Sequence, residues 1–294
     1  MAELIAVLPV SNRLGEGVLW NPADGCFWWT DILQNRLYRH DLAADRTGWV
    51  ETPHRLCAFA FVSRPGRLLA AFDTGLAWFE PETGVVEWLH RPPELGQGLR
   101  LNDGRVDRQG RFWVGAMCED TAAAPFGSAS LYRLDRDLGL TTVFSGVGIS
   151  NGICWSVDGS RFYFADSPRQ TVSVFDSDPA TGTLGPPRAF AVTTGPASPD
   201  GAIVDAEDHM WSAQWGGGRV VRYDPHGAVR DEIVVPVSQP TCAAFGGDHL
   251  DLLCITSAWD GLSTAELDRE PQAGHAFIYR VDVPGPPEYC FLGP

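Results

Sequence analysis

A turn followed by a short aromatic or aliphatic strand recurs six times along this 294-residue chain. The copies are Asp24-Gly-Cys-Phe-Trp-Trp29, Pro65-Gly-Arg-Leu-Leu69, Gln109-Gly-Arg-Phe-Trp113, Asp158-Gly-Ser-Arg-Phe-Tyr163, Glu207-Asp-His-Met-Trp211 and Gly247-Asp-His-Leu-Asp-Leu-Leu253. A second pattern, a strand ending near an acid, follows each one: Arg36–Asp41, Leu76–Glu80, Leu131–Asp135, Val172–Asp176, Val220–Asp224 and Phe277–Asp282. The period is 40–50 residues, about the length that four short antiparallel strands need, and sixfold recurrence at that length means radial repetition. The strands are rich in Val, Phe, Trp and Tyr, and no long apolar stripe of helical period competes with them. A β-helix needs shorter repeats, and two separate sandwiches would not share one period. The expected fold is therefore all-β, a six-bladed β-propeller with four antiparallel strands per blade. No linker or low-complexity stretch divides the chain, so residues 1–294 read as one domain. The segment Glu3–Val10 precedes the first copy. It is expected to complete the last blade as a strand, closing the ring and hiding an edge.

Composition removes several functions. Net charge is −15 at pH 7 with a pI near 4.7, which disfavours nucleic acid and anionic membrane as partners. No run of eighteen apolar residues spans a bilayer, and the N-terminus lacks the basic and small-residue features of a signal peptide. All 22 basic residues are Arg, so Schiff-base and lysine-nucleophile chemistry is excluded. The 7 Cys form no C-x-x-C pair, so they read as small buried hydrophobes of a reducing, cytoplasmic protein rather than a disulfide framework or zinc site. Nothing in the pattern calls for an oligomer, and a monomer is expected.

The repeat also gives a phase for the chemistry. Glu16, Asn151 and Asp200 each lie in a short motif ending in glycine, 13, 12 and 11 residues before Trp29, Tyr163 and Trp211 respectively. Asn102 shares that phase in the third unit, while the Cys57–Ala58 and Thr241–Cys242 regions fill it with small residues. In a propeller such positions fall near one mouth of the channel, at the chain entering each innermost strand. Two carboxylates and amide oxygens converging there would make a lopsided hard-cation site with room for a substrate beside it. Taken singly, Asn151-Gly152, Asp103-Gly104 and Asp200-Gly201 are also ordinary turn formers; the common phase favours the site. Arg100 is the residue type that fixes oxygens by forked hydrogen bonds, or else an ion-pair partner between blades. The acids of Met117-Cys118-Glu119-Asp120 rim the mouth or are solvated loop charges. No His falls at the channel phase, which disfavours Ser-His-Asp catalysis, and Gly216-Gly217-Gly218 opens no helix, so it reads as a turn rather than a phosphate loop.

At Leu14-Gly-Glu-Gly17, Arg100-Leu-Asn-Asp-Gly104, Ile149-Ser-Asn-Gly152, Pro199-Asp-Gly201 and Gly216-Gly-Gly-Arg219 the chain resembles the SMP-30/gluconolactonase/regucalcin family along nearly its whole length. The resemblance implies a six-bladed propeller, one divalent metal in the channel and hydrolysis of sugar lactones, a small-molecule substrate. It implies Glu16, Asn151 and Asp200 as metal ligands, Asp200 also as general base, and Arg100 and Asn102 as holders of the sugar hydroxyls. The acid two places after Cys118 is commonly Glu in that family and is Asp120 here, a shorter arm for the same substrate contact. Oxygen ligands suit Ca²⁺, Mg²⁺ or Mn²⁺, with Zn²⁺ or Fe²⁺ open. Two other functions fit the same cation site: a calcium-binding scaffold without turnover, and a propeller hydrolase of phosphotriesters or aryl esters.

Overall fold

In the computed structural model, which describes residues 2–294, six sheets follow one another along the chain. Blades 1 to 3 take their strands in sequence order from the centre outwards. They are Gly15–Asn21 to Arg46–Glu51, Leu56–Phe61 to Val85–His90, and Leu99–Val106 to Leu140–Val147. Blade 4 starts at Ser150–Trp155 and ends in a split outer edge, where Thr171–Asp178 pairs with both Thr183–Leu184 and Arg188–Val192. Blade 5 runs from Ser198–Val204 to Val229–Val234. Blade 6 contains Pro240–Gly246, Leu252–Ser257 and Ala276–Arg280, and its fourth strand is the N-terminal Glu3–Leu8, antiparallel to Ala276–Arg280. Every inner strand packs on the inner strands of both neighbours, and the sixth packs on the first. The expected propeller and its closure by the N-terminal segment are both present.

The two repeated patterns are the second and third strands of each blade, and they supply the packing between blades. Trp29, Trp113, Tyr163 and Phe277 are fully buried. Asp107 ties turn to strand in blade 3: Oδ1 accepts from the Gln109 and Arg111 N–H groups, and Oδ2 accepts from Trp113 Nε1 at 2.9 Å. Asp205 repeats this in blade 5 with Glu207, His209 and Trp211 Nε1. Each such carboxylate is compensated by several donors, as burial of its charge requires. Six of the seven cysteines are buried and unpaired, as expected of small strand residues; Cys290 is exposed. Gly216 and Gly218 have positive φ in the turn between Met210–Trp215 and Arg219–Tyr223.

A C-terminal tail that the repeat pattern did not reveal crosses the far end of the channel. Gly285 N–H donates to Leu250 O, Pro284 O accepts from Ala206, Arg105 pairs with Glu288 at 3.1 Å, and Phe291 N–H donates to Phe61 O. Phe291 is fully buried, its ring 5.9 Å from that of Trp78. The tail thus touches blades 6, 5, 3 and 2 and covers the end opposite to Glu16.

Candidate functional site

Each inner strand is interrupted at the same place. The register shifts between Glu16 and Leu19, Leu56 and Ala58, Leu101 and Gly104, Asn151 and Cys154, Pro199 and Ala202, and Pro240 and Ala243. A β-bulge re-aims the side chains beside it, so six bulges at one level turn six positions toward one axis. Glu16, Asn102, Asn151 and Asp200 sit at this level inside strands, neither in entry loops nor in tight turns. The following glycines serve the bulge: Gly17 has φ +58° and Gly152 has φ +61°, a region costly for residues with a Cβ.

The structure brings Glu16, Arg100, Asn102, Asn151 and Asp200 into one cavity of about 330 Å³, with Leu14, Met117, Ile149, Ser167, Pro168, Ser198, Trp215 and Asp260 completing the wall. Blade 2 gives none of these residues; its Cys57 lies behind Arg100, whose Nη1 donates to the thiol at 3.8 Å. The polar residues at the bulge level come from blades 1, 3, 4 and 5. A larger groove of about 880 Å³ runs between the outer strands of blades 3 and 4, but it is open and contains none of the five.

Glu16 and Asp200 are 8% and 5% exposed, and their carboxyl groups are within hydrogen-bond reach of each other. Burial raises the Glu16 carboxyl from its ordinary 4.5 to about 8; the charge of Asp103 adds to the shift, while the Gly17 N–H and Arg100 oppose it. Asp200 is also raised well above the carboxylate range, first by burial and then by the charges of Glu16 and Asp103. Two buried acids this close share a proton unless a cation replaces it. Asp103 forms a second acidic layer: its Oδ2 accepts from Ile153 N–H at 2.9 Å, and burial raises its pKa too. Residue-pattern reasoning saw Asp103 only as half of an Asp-Gly pair.

Hydrogen bonds fix the amides. Asn102 Nδ2 donates to Ser150 O at 3.0 Å and to Asn151 Oδ1 at 2.9 Å. Asn151 Nδ2 donates to Ser167 Oγ, which passes its own proton to Pro199 O. Both amide hydrogens of Asn102 are therefore used inside the protein, and its Oδ1 accepts from Arg100 Nη1 at 2.7 Å. Arg100 also donates through Nε to Glu119 Oε1 at 3.1 Å, an ion pair within blade 3 that Arg55 shares. Glu119 thus faces Arg100, whereas Asp120 does not reach the cavity. Asp120 is exposed in the loop beyond, and its Oδ1 accepts from Ala122 N–H in a local turn.

The donor set fits a hard cation. Glu16, Asp200 and Asn151 offer oxygen only, and a cation between the two neighbouring carboxylates would take the place of the proton that burial holds there. Among the described residues no three His, Cys, Asp or Glu side chains cluster as a metal site; the set here is two carboxylates and an amide. Among the described residues no helix is long and apolar enough to cross a membrane.

Residues 14–259 match the family model described as the SMP-30/Gluconolactonase/LRE-like region. The chain is 39% identical to an L-arabinolactonase of Azospirillum brasilense, over 96% of this chain and 93% of that protein. It is 37% identical to a pentonolactonase of Haloferax volcanii, over 96% of each. Among solved structures it superposes on a calcium-binding protein, regucalcin, from Agrobacterium tumefaciens with a TM-score of 0.91 at 33% identity, covering 98% of this chain and 97% of that one.

Proposed function

Because the chain belongs to the SMP-30/gluconolactonase/LRE-like family, whose curated members aligned with nearly all of it include sugar lactonases, we propose that its channel cavity hydrolyses a sugar lactone to the open-chain aldonic acid with the help of one divalent cation held by Glu16, Asn151 and Asp200. The observation that carries this reading is the buried contact of Glu16 with Asp200 at the bulge level, beside Asn151 and under a cavity of about 330 Å³. When bound, the cation supplies Lewis acidity toward the lactone carbonyl oxygen and charge for the developing oxyanion.

The chain's own residues do the rest. Asp200 takes a proton from the attacking water as the water oxygen bonds to the carbonyl carbon. The ring C–O bond then breaks, and Asp200 returns the proton to the departing ring oxygen. A coordinated carboxylate is a weaker base than a free one; the touching Glu16 charge works in the opposite direction, raising the proton affinity of Asp200. Arg100 binds the sugar: among the described residues none accepts from its Nη2, while Nε and Nη1 are held by Glu119, Leu101 O and Asn102. Asn102 acts mainly by orienting Arg100 and Asn151, and it keeps one lone pair of Oδ1 for a substrate hydroxyl. Asp120 stands outside this set.

A panel of pentono- and hexono-1,4- and 1,5-lactones, assayed after chelation and again after adding back Ca²⁺, Mg²⁺, Mn²⁺, Zn²⁺ or Fe²⁺, tests the reading. Turnover that disappears with chelator and returns with a cation is expected. Turnover that survives exhaustive chelation removes the cation, and no turnover with any lactone removes the function.

A further inference from the structure

A sugar lactone carries several hydroxyls, and each needs an acceptor as well as a donor; the carbonyl and ring oxygens only accept. Arg100 provides donors. The supply of acceptors is narrow. Glu16 and Asp200 are committed to each other and to the cation. Glu119, which accepts from Arg55 and Arg100 on Oε1, is not part of the cavity wall, and Asp120 is turned into its own loop. Ser167 Oγ already accepts from Asn151 and donates to Pro199 O. One carboxylate of the cavity wall is left, Asp260, which lies outside both repeated patterns.

Asp260 is held as a recognition residue needs to be. Its Oδ1 accepts from Arg13 Nε at 2.7 Å, its backbone N–H donates to Arg13 O at 3.0 Å, and its carbonyl accepts from Gln239 Nε2 at 2.9 Å. Trp259 beside it donates through Nε1 to Ser11 O. The antiparallel bridge from Leu14 to Ala258 pins both segments at the seam between blades 6 and 1. Oδ2 has no partner among the described residues, and the side chain is 36% exposed at the mouth.

We propose that Asp260 is the carboxylate that binds the sugar hydroxyls, from the blade 6 side of a cavity whose Arg100 comes from blade 3. Trp215, also in the wall, offers an apolar ring face to the C–H side of the sugar. The inference rests on the lactonase reading above and deepens it. A charged acceptor fixed by Arg13 and Gln239 discriminates among stereoisomeric lactones by the configuration of the hydroxyl it meets.

The test is Asp260→Asn, which keeps an oxygen for Arg13 and removes the charge, with Asp120→Asn run beside it on the same lactone panel. Asp260→Asn should raise KM about tenfold, the lower end of what a hydrogen bond to a charged group is worth, with kcat changed less than about threefold. Calorimetric titration with D-xylose and D-galactose, which carry ring hydroxyls and no lactone carbonyl, should show the same weakening. If the wild type hydrolyses lactones and Asp260→Asn leaves KM within twofold, or the KM effect falls on Asp120→Asn instead, the inference is overturned and the lactonase reading stands. If the wild type hydrolyses no lactone, that reading falls and the titration decides: weaker sugar binding by Asp260→Asn supports hydroxyl recognition, and equal or absent binding overturns it.

Discussion

In the chelated protein, Glu16→Gln should stabilise the fold at alkaline pH. The folded-state pKa of Glu16 is raised from 4.5 to about 8. Between those values the folded state keeps a proton that the unfolded state has released, so stability falls as pH rises through the window and the loss is complete above about 8. A shift of about 3.5 units at ~1.4 kcal/mol each gives ~5 kcal/mol as the ceiling for this one carboxyl, and between pH 6 and 8 it gives ~2.7 kcal/mol. At ~2–4 °C per kcal/mol for a chain of this order of size, chelated wild type should lose ~5–10 °C more than Glu16→Gln between pH 6 and 8.5. Asp200, raised in part by the Glu16 charge, contributes a slope of the same sign to both proteins but a smaller one in the variant, so the difference between them reads Glu16 together with its coupling to Asp200. Scanning calorimetry in chelator at the two pH values reads it. Adding Ca²⁺ should reverse the order, because a cation at about 100 times its Kd stabilises the wild type by ~2.7 kcal/mol and has lost a ligand in the variant. Parallel Tm–pH curves for the two chelated proteins would refute the argument that burial, aided by the Asp103 charge, holds a proton on Glu16 in the folded state.

Three further outcomes follow from the same geometry. Asp200→Ala should abolish lactone turnover while calorimetry shows a folded protein; near wild-type kcat would sink its assignment as base and ligand. Arg100→Ala should mainly raise KM, since positioning rather than bond chemistry is lost; an unchanged KM across the panel counts against it. Deleting residues 3–8 uncovers the edge of Ala276–Arg280 and should lower Tm and promote association, read by light scattering; a deletion protein as stable and monodisperse as the full chain would show that the seam does not depend on this strand.

The propeller was legible because its second and third strands repeat both turn chemistry and aromatic packing. Trp29, Trp113 and Trp211 mark one position in three blades because that position lies between sheets in each. The common phase of Glu16, Asn102, Asn151 and Asp200 was legible for the same reason. Less visible was the device that makes the phase useful: a bulge has no residue signature beyond a following glycine, and Asn-Gly or Asp-Gly reads as a turn. Asp260 was missed, and Glu119 was read only as one of two acids near the mouth, because their roles depend on contacts made across the fold, with Arg13 and with Arg55 and Arg100. The tail escaped notice because it belongs to no repeat; Arg105 and Glu288, 183 positions apart, meet only once the ring exists.

The closing strand also sets the order of assembly. On the ribosome Glu3–Leu8 is made long before its partner Ala276–Arg280; Val10 O accepts from His275 Nδ1 across 265 positions. Blades 1 to 5 can form as the chain is made, but the sixth sheet and the seam holding Arg13 against Asp260 wait until Ala276–Arg280 has been made. Contacts this distant are slow to form and leave an unpaired edge during translation. A nascent chain of this protein therefore gains its fold progressively, but completes the wall of its cavity only once the sixth blade has closed on the first strand.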